Sequence, residues 1–389
     1  MFIKIGLRKN LLYPFFSIIY FFTREIDSLI LSRVLDFNNS LILTFIMFAS
    51  ELLSGIYLYI LHLQLLKKVN KRNTKIEKYK GIKLIQGPDY MKPRDKTYLI
   101  YILLFMATFF DFNSFIIKTQ YLPKYKDNSR NKSLDIRLRG FLPVISAFLC
   151  KYSLKLPIFR HQLFALVVIM SSLFLVIISE FIIMGNSGDN NSEIFYFILC
   201  IFIYHFFDSF LEITEKYLFE HDFIYQHKIL ISEGIYGLSL TFIYSFMDES
   251  WREILNYNQK NYKFILLIIC LIIFLILSGG RNIYRLETNK LYSPMSRSLS
   301  DTFLDPLLVL YYYLFENDFI IGEDNKQYFI YFFLNLIISL SVTLCVCIYN
   351  ELFVLYFCNL HLDTYYEISK RASVNEDYYE IQDKNDTFY

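Results

Sequence analysis

Blocks of about twenty apolar residues alternate with short polar stretches along this chain. A bilayer's hydrocarbon core is about 30 Å thick and takes about 20 apolar helical residues to cross. Backbone groups in lipid must bond to one another, so such blocks are helices. The runs are continuous rather than alternating, which excludes a membrane barrel. Ten spans are expected. The first five run from about Leu11 to Leu35, Leu41 to Leu66, Tyr98 to Ile117, Leu138 to Leu154 and His161 to Met184. The second five run from about Ile194 to Phe219, Lys228 to Met247, Phe264 to Tyr284, Met295 to Phe315 and Tyr328 to Cys358. No small-residue cleavage site follows the first block, so it is expected to be a retained helix. The expected fold is an all-α polytopic membrane protein.

Composition agrees. Hydrophobic residues make up 55% of the chain, aromatic residues 19%, and mean hydropathy is +0.35; a soluble domain is rarely so aromatic. The net charge of +2 points to no partner class. No basic face with interleaved aromatics suggests nucleic acid. Cys150, Cys200, Cys270, Cys345, Cys347 and Cys358 all sit in or at the ends of apolar blocks, where they read as small packing residues. The histidines are scattered and no CxxC or HExxH spacing occurs, so neither a metal nor a cofactor is expected. No nucleophile motif or His–Asp pairing suggests an enzyme.

Lys and Arg in short loops set orientation. The loop 67–96 carries Lys67, Lys68, Lys71, Arg72, Lys75, Lys78, Lys80 and Lys83, which assigns it and both termini to the cytosol. The loop Gly185 to Ser192 has no basic residue and the loop Glu316 to Gln327 is net acidic, as the opposite side requires. The basic insert Lys118 to Arg137 also falls on that opposite side, against the rule. Asn38 and Asn190 begin glycosylation sequons there, while the Asn385 sequon lies in the cytosolic tail.

An ionisable residue inside a span costs several kcal/mol by most scales and needs a partner or a wet cavity. The candidates are Arg24, Glu25, Glu51, Asp111, Arg139, Glu180, Glu215, Lys216, Glu233, Arg297 and Asp301. Glu180, Glu215 and Lys216 lie near span ends, within reach of the interface. Glu51 and Asp111 sit within apolar runs, where the simplest role is a buried ion pair with an arginine. Arg297 and Asp301 stand four apart on one helical face and can pair. The fourth and ninth spans each open on an arginine, Arg139 or Arg297, with Pro143 or Pro306 nearby. Inverted repeats of five spans would relate these positions about an axis in the membrane plane.

Several stretches together resemble the drug/metabolite transporter superfamily, in the nucleotide-sugar-transporter-like branch, solute carrier family 35, with the F-type members most similar. Met47 to Glu51 looks like the second-helix Met-Phe-x-Gly-Glu, with Ser50 where glycine is usual. Ala107 to Asp111 resembles the third-helix segment ending in aspartate, and Leu138-Arg139-Gly140 the opening of the fourth helix. Glu215-Lys216-Tyr217 and Glu233 to Gly237 resemble the Glu-Lys and Glu-Gly-x-x-Gly pair around helices six and seven. Arg297 to Asp301 and Tyr349-Asn350 match the ninth-helix Arg-x-x-x-Asp and the Tyr-Asn closing the tenth. Order and spacing over residues 10–355 carry the likeness. The long basic loop, the insert at Lys118 to Arg137 and the missing glycines depart from the family pattern.

The resemblance implies two inverted five-helix repeats, residues 1–184 and 185–358, followed by a disordered cytosolic tail, residues 359–389. It implies a secondary carrier or exchanger of a small metabolite, working by alternating access from an internal membrane (lysosome-like, vacuolar or Golgi). Arg139 and Arg297 would attract an anionic group. Glu51, Asp111 and Asp301 would orient them or take up a proton. Glu233, with Gly234 and Gly237, would allow close helix approach near a gate. The expected partners are the bilayer and a small-molecule substrate; a second copy of the chain is a candidate partner. The alternative is a non-transporting scaffold or complex subunit that keeps the fold. Tyr365 to Ile368 and Tyr378 to Ile381 fit tyrosine-based sorting signals.

Overall fold

The computed structural model describes residues 3–5, 12–33, 37, 39–80, 97–122, 134, 137–185, 191–246, 261–291, 294, 302–303, 305–315, 325–364, 367–368 and 370–371. In chain order the helices are α1 (Leu12–Arg33), α2 (Ser40–Lys80), α3 (Thr97–Ile116), α4 (Phe141–Ser153) and α5 (Arg160–Gly185). Then come α6 (Asn191–Glu220), α7 (Gln226–Ser245), α8 (Asn261–Leu291), α9 (Asp305–Phe315) and α10 (Asn325–Tyr349). Two three-residue strands, β1 (Ile3–Ile5) and β2 (Phe353–Leu355), pair antiparallel. Among the described residues the regular structure is otherwise helical. Among the described residues, stretches of α2, α3, α5, α6, α8 and α10 are long and apolar enough to cross a membrane. α1 and α4 carry shorter apolar stretches, Phe15–Arg24 and Phe141–Ser153.

Burial is inverted relative to a soluble protein. On α8, Ile265, Ile269, Ile272 and Ile276 recur at helical spacing and are about half exposed. The same helix buries Ser278, Asn282, Arg285 and Asn289. An apolar outside around a polar inside is stable where the surrounding solvent is hydrocarbon.

α2 packs along α7, α1 along α8, α3 between α6 and α7, α4 on α6, and α5 and α9 on α10. The main apolar core lies among α4, α5, α6 and α10, around Val144, Ala147, Ile169, Phe197 and Val346. Glycine sets the α2–α7 contact. A Cβ on Gly234 would lie 2.6 Å from the Leu52 backbone nitrogen, and one on Gly237 would lie 2.0 Å from the Phe48 ring. Gly55 of α2 meets the Ile231 backbone in the same way. Small residues let membrane helices approach to backbone distance.

The structure corrects several expected boundaries. Residues 67–80 are not loop: α2 continues to Lys80, because no Gly or Pro interrupts the run before Gly81. α8 extends past Tyr284 to Leu291. α10 stops at Tyr349 rather than Cys358. Glu351 takes a left-handed φ of 60° and the Leu352 N–H bonds the Cys347 carbonyl, a helix-ending pattern usually built on glycine. The tail does not begin at residue 359. Within Phe357–Asp363 the 3₁₀ backbone is broken by a kink at Cys358 and Asn359, with left-handed φ of 50° and 58°, and Asp363 reaches Arg160 at 3.7 Å. Asn38, Asn190, Asn385, Tyr365 and Tyr378 lie outside the described residues.

Candidate functional site

Two polar faces build the interior. On α6, His205, Asp208, Ser209, Glu212, Glu215 and Lys216 follow helical spacing and are all buried. On α8 the face is Ser278, Asn282, Arg285 and Asn289. The two meet. Arg285 Nη2 donates to Glu215 Oε1 at 2.6 Å, and Asn289 Nδ2 donates to Glu215 Oε2 at 3.0 Å and to the Glu212 carbonyl at 2.8 Å.

The same Arg285 nitrogen lies 3.5 Å from Glu233 Oε2 of α7 and 3.9 Å from Glu51 Oε1 of α2. Glu51, Glu215 and Glu233 are each at most 1% exposed. Asp111 of α3 is buried too, and its charge acts on Glu233. Three helices, α2, α6 and α7, therefore present carboxyl groups to one guanidinium. The network continues to α4 through Ser146 Oγ, which is 3.0 Å from Ser209 Oγ and 3.3 Å from Glu212 Oε2.

A second cluster begins one helical turn away on α8. The guanidinium carbons of Arg281, Arg139 and Arg24 lie 5.2, 5.8 and 6.0 Å from the ring centroid of Phe21. Phe21 itself is buried. A guanidinium within about 6 Å of an aromatic ring is attracted to it. Glycines open the space beside this cluster. A Cβ on Gly280 would lie 2.3 Å from the Tyr20 ring, and one on Gly279 would lie 2.7 Å from Ser54 Oγ. Arg139 also donates to Asp305 Oδ1 at 2.9 Å, both residues being buried.

That last pair joins two short helices. Arg139 precedes α4 and Asp305 opens α9, and each helix carries a proline in its first turn, Pro143 or Pro306. Proline is tolerated there because the first N–H groups have no helical partner. Asp305 also complements the positive end of its own helix. A double-mutant cycle on Arg139→Ala and Asp305→Ala, read by thermal unfolding in detergent, should give a coupling of about 1–3 kcal/mol.

Of the expected site residues, Glu51 and Glu233 meet at Arg285 with Asp111 nearby, and Arg139 belongs to the arginine cluster. Arg297 and Asp301 lie outside the described residues. Glu215 is a correction: it does not reach the interface but is fully buried as the closest partner of Arg285. Lys216 is also buried, 3.2 Å from the Lys290 carbonyl and 3.1 Å from Glu220.

Arg281, Arg285, Glu212 and Asp305 were not among the expected residues. The expected eighth span ends at about Tyr284, so Arg285 falls outside it. The signal was present: Ser278, Asn282, Arg285 and Asn289 stand at i, i+4, i+7 and i+11. An apolar groove of about 660 Å³ opens elsewhere, between α4, α5 and α6, lined by Phe141, Phe148, Phe174 and Phe202. None of these charges lines it. Compared with known proteins, the chain matches no family model and no curated relative.

Proposed function

We propose that this chain is a secondary carrier or exchanger of a small anionic metabolite, working by alternating access. The observation that carries this reading is the pairing of buried charges between the two halves. Arg139 of residues 1–184 pairs with Asp305 of residues 185–358, and Glu51 faces Arg285 in the same sense. Carriers built from inverted repeats hold their sites at the repeat interface, beside short or interrupted helices in corresponding positions. α4 and α9, with 13 and 11 residues, are the short helices in corresponding positions of the two halves among the described residues, and they meet end to end at Arg139 and Asp305. This supports ten crossings in two inverted sets of five, as in the drug/metabolite transporters of the nucleotide-sugar-transporter-like branch.

Arg24, Arg139 and Arg281 supply the attraction for an anion, with Asp305 holding Arg139. The pairing of β1 with β2 supports a common side for both ends of the bundle, taken as the cytosolic side of an internal membrane. The test is uptake into proteoliposomes with a panel of nucleotide sugars and organic anions. Arg139→Ala and Arg297→Ala should each reduce uptake at least tenfold, about 1.4 kcal/mol of lost stabilisation. Wild-type rates in both variants would remove the arginines from the mechanism. Absence of uptake together with stoichiometric recovery of a bound partner would favour a scaffold that keeps the fold.

A further inference from the structure

We propose that the groove between α4, α5 and α6 holds an acyl chain of an anionic phospholipid, whose headgroup is received by Lys151 and Lys155. The inference needs the membrane character of the bundle and not the carrier reading. At about 660 Å³ the groove has the size of a small-molecule site. Its lining selects hydrocarbon. Phe141, Val144, Ile145, Phe148 and Leu149 stand at i, i+3, i+4, i+7 and i+8, which makes them one stripe of α4. Phe174 of α5 and Phe206 of α6 add to the walls. Ser171 is the polar residue of the lining, and its hydroxyl already donates to the Val167 carbonyl at 2.9 Å. A polar solute entering here would leave its water and find little to replace it. An acyl chain gives up no hydrogen bond.

Charge at one end of the same stripe identifies the headgroup. Tyr152, at i+11, continues the stripe by one turn and is 72% exposed. Exposed tyrosine rings at the end of a membrane helix sit at headgroup level. α4 ends one residue later, at Ser153. From Lys151 to Arg160 the chain has three basic residues and no acidic one. Arg160 faces Asp363 at 3.7 Å, so Lys151 and Lys155, both exposed, carry the recognition. Lys155 holds a left-handed φ of 53° just after the helix, where glycine is the usual residue. A lysine stands there against the backbone preference. Two ammonium groups beside the end of an apolar slot match a lipid with net negative charge. Its chain descends along α4 while its phosphate stays level with Tyr152. A zwitterionic lipid offers the same chain without the net charge that basic residues attract.

The experiment offers the delipidated full-length protein, in detergent, equal amounts of phosphatidylserine and phosphatidylcholine with the same chains. Retained lipid is read by native mass spectrometry. A lysine near an anionic headgroup is worth about fivefold in binding, so the wild type should favour phosphatidylserine by at least about fivefold. Lys151→Ala combined with Lys155→Gly should bring the two lipids to parity, and the glycine suits the left-handed backbone, so the fold is spared. Ser171→Phe fills the slot from an exposed position and should lower retention of both lipids. Glycerophosphoserine, the headgroup without chains, should not displace the lipid. Equal retention of the two lipids by the wild type overturns the proposal. So does a preference that survives in the lysine variant, a result that decides even if Ser171→Phe does not fold. Unchanged retention in a folded Ser171→Phe protein, displacement by glycerophosphoserine, or a wild type recovered as a lipid-free dimer overturns it as well.

Discussion

Arg285→Ala should destabilise the protein by about 3–5 kcal/mol, enough to abolish a cooperative melt in detergent. The guanidinium is the shared positive partner of Glu51, Glu215 and Glu233, which come from three different helices. Glu215 is fully buried and accepts the 2.6 Å bond. Removing the arginine leaves that carboxylate with the Asn289 amide as its remaining named donor, at 3.0 Å. Leaving a buried charge uncompensated costs far more than the pair contributes net. Two further variants separate charge from packing. Arg285→Lys keeps the charge but loses the planar fork, and should recover only part of the stability. Arg285→Met combined with Glu215→Gln removes both members and should cost less than Arg285→Ala alone. An Arg285→Ala protein that melts like the wild type would show that the cluster is not a structural centre.

Gly234→Val should lower stability by about 3 kcal/mol or more, with Gly234→Ala in the range of about 1–3 kcal/mol. The reason is backbone, not side chain. A Cβ at this position would meet the Leu52 nitrogen at 2.6 Å and its Cα at 2.8 Å, and neither can rotate away. α2 and α7 would have to separate, which would also pull Glu51 from Glu233 and Arg285. Gly140→Ala offers the contrast. Its nearest neighbours are the Leu173 and Ile169 side-chain tips at 3.2 and 3.3 Å, which can shift. Thermal melts of the three variants should rank Gly140→Ala as the mildest and Gly234→Val as the most damaging. The reverse order would show that the α2–α7 contact tolerates expansion.

The membrane character and the helical periodicity were set by the sequence alone. Long apolar blocks in lipid have no other backbone solution, and α2, α3, α5, α6, α8 and α10 follow from that rule. Glu51, Asp111, Arg139 and Glu233 were also legible as residues needing partners, because a charge in hydrocarbon is costly wherever it sits. Their partners were not legible. Arg139 and Asp305 are separated by 166 positions, and Arg285 and Glu233 by 52. Nothing local in the chain records such pairings, since side-chain spacing along one helix fixes a face but not what that face meets. The same limit misplaced Glu215: a residue near the end of an apolar block looks interfacial until the neighbouring helix is seen to cover it. Sequence determined that the charges had to be compensated. The crossing of α2, α6, α7 and α8 decided that one guanidinium would serve three carboxyl groups, because only packing brings distant residues within hydrogen-bonding range.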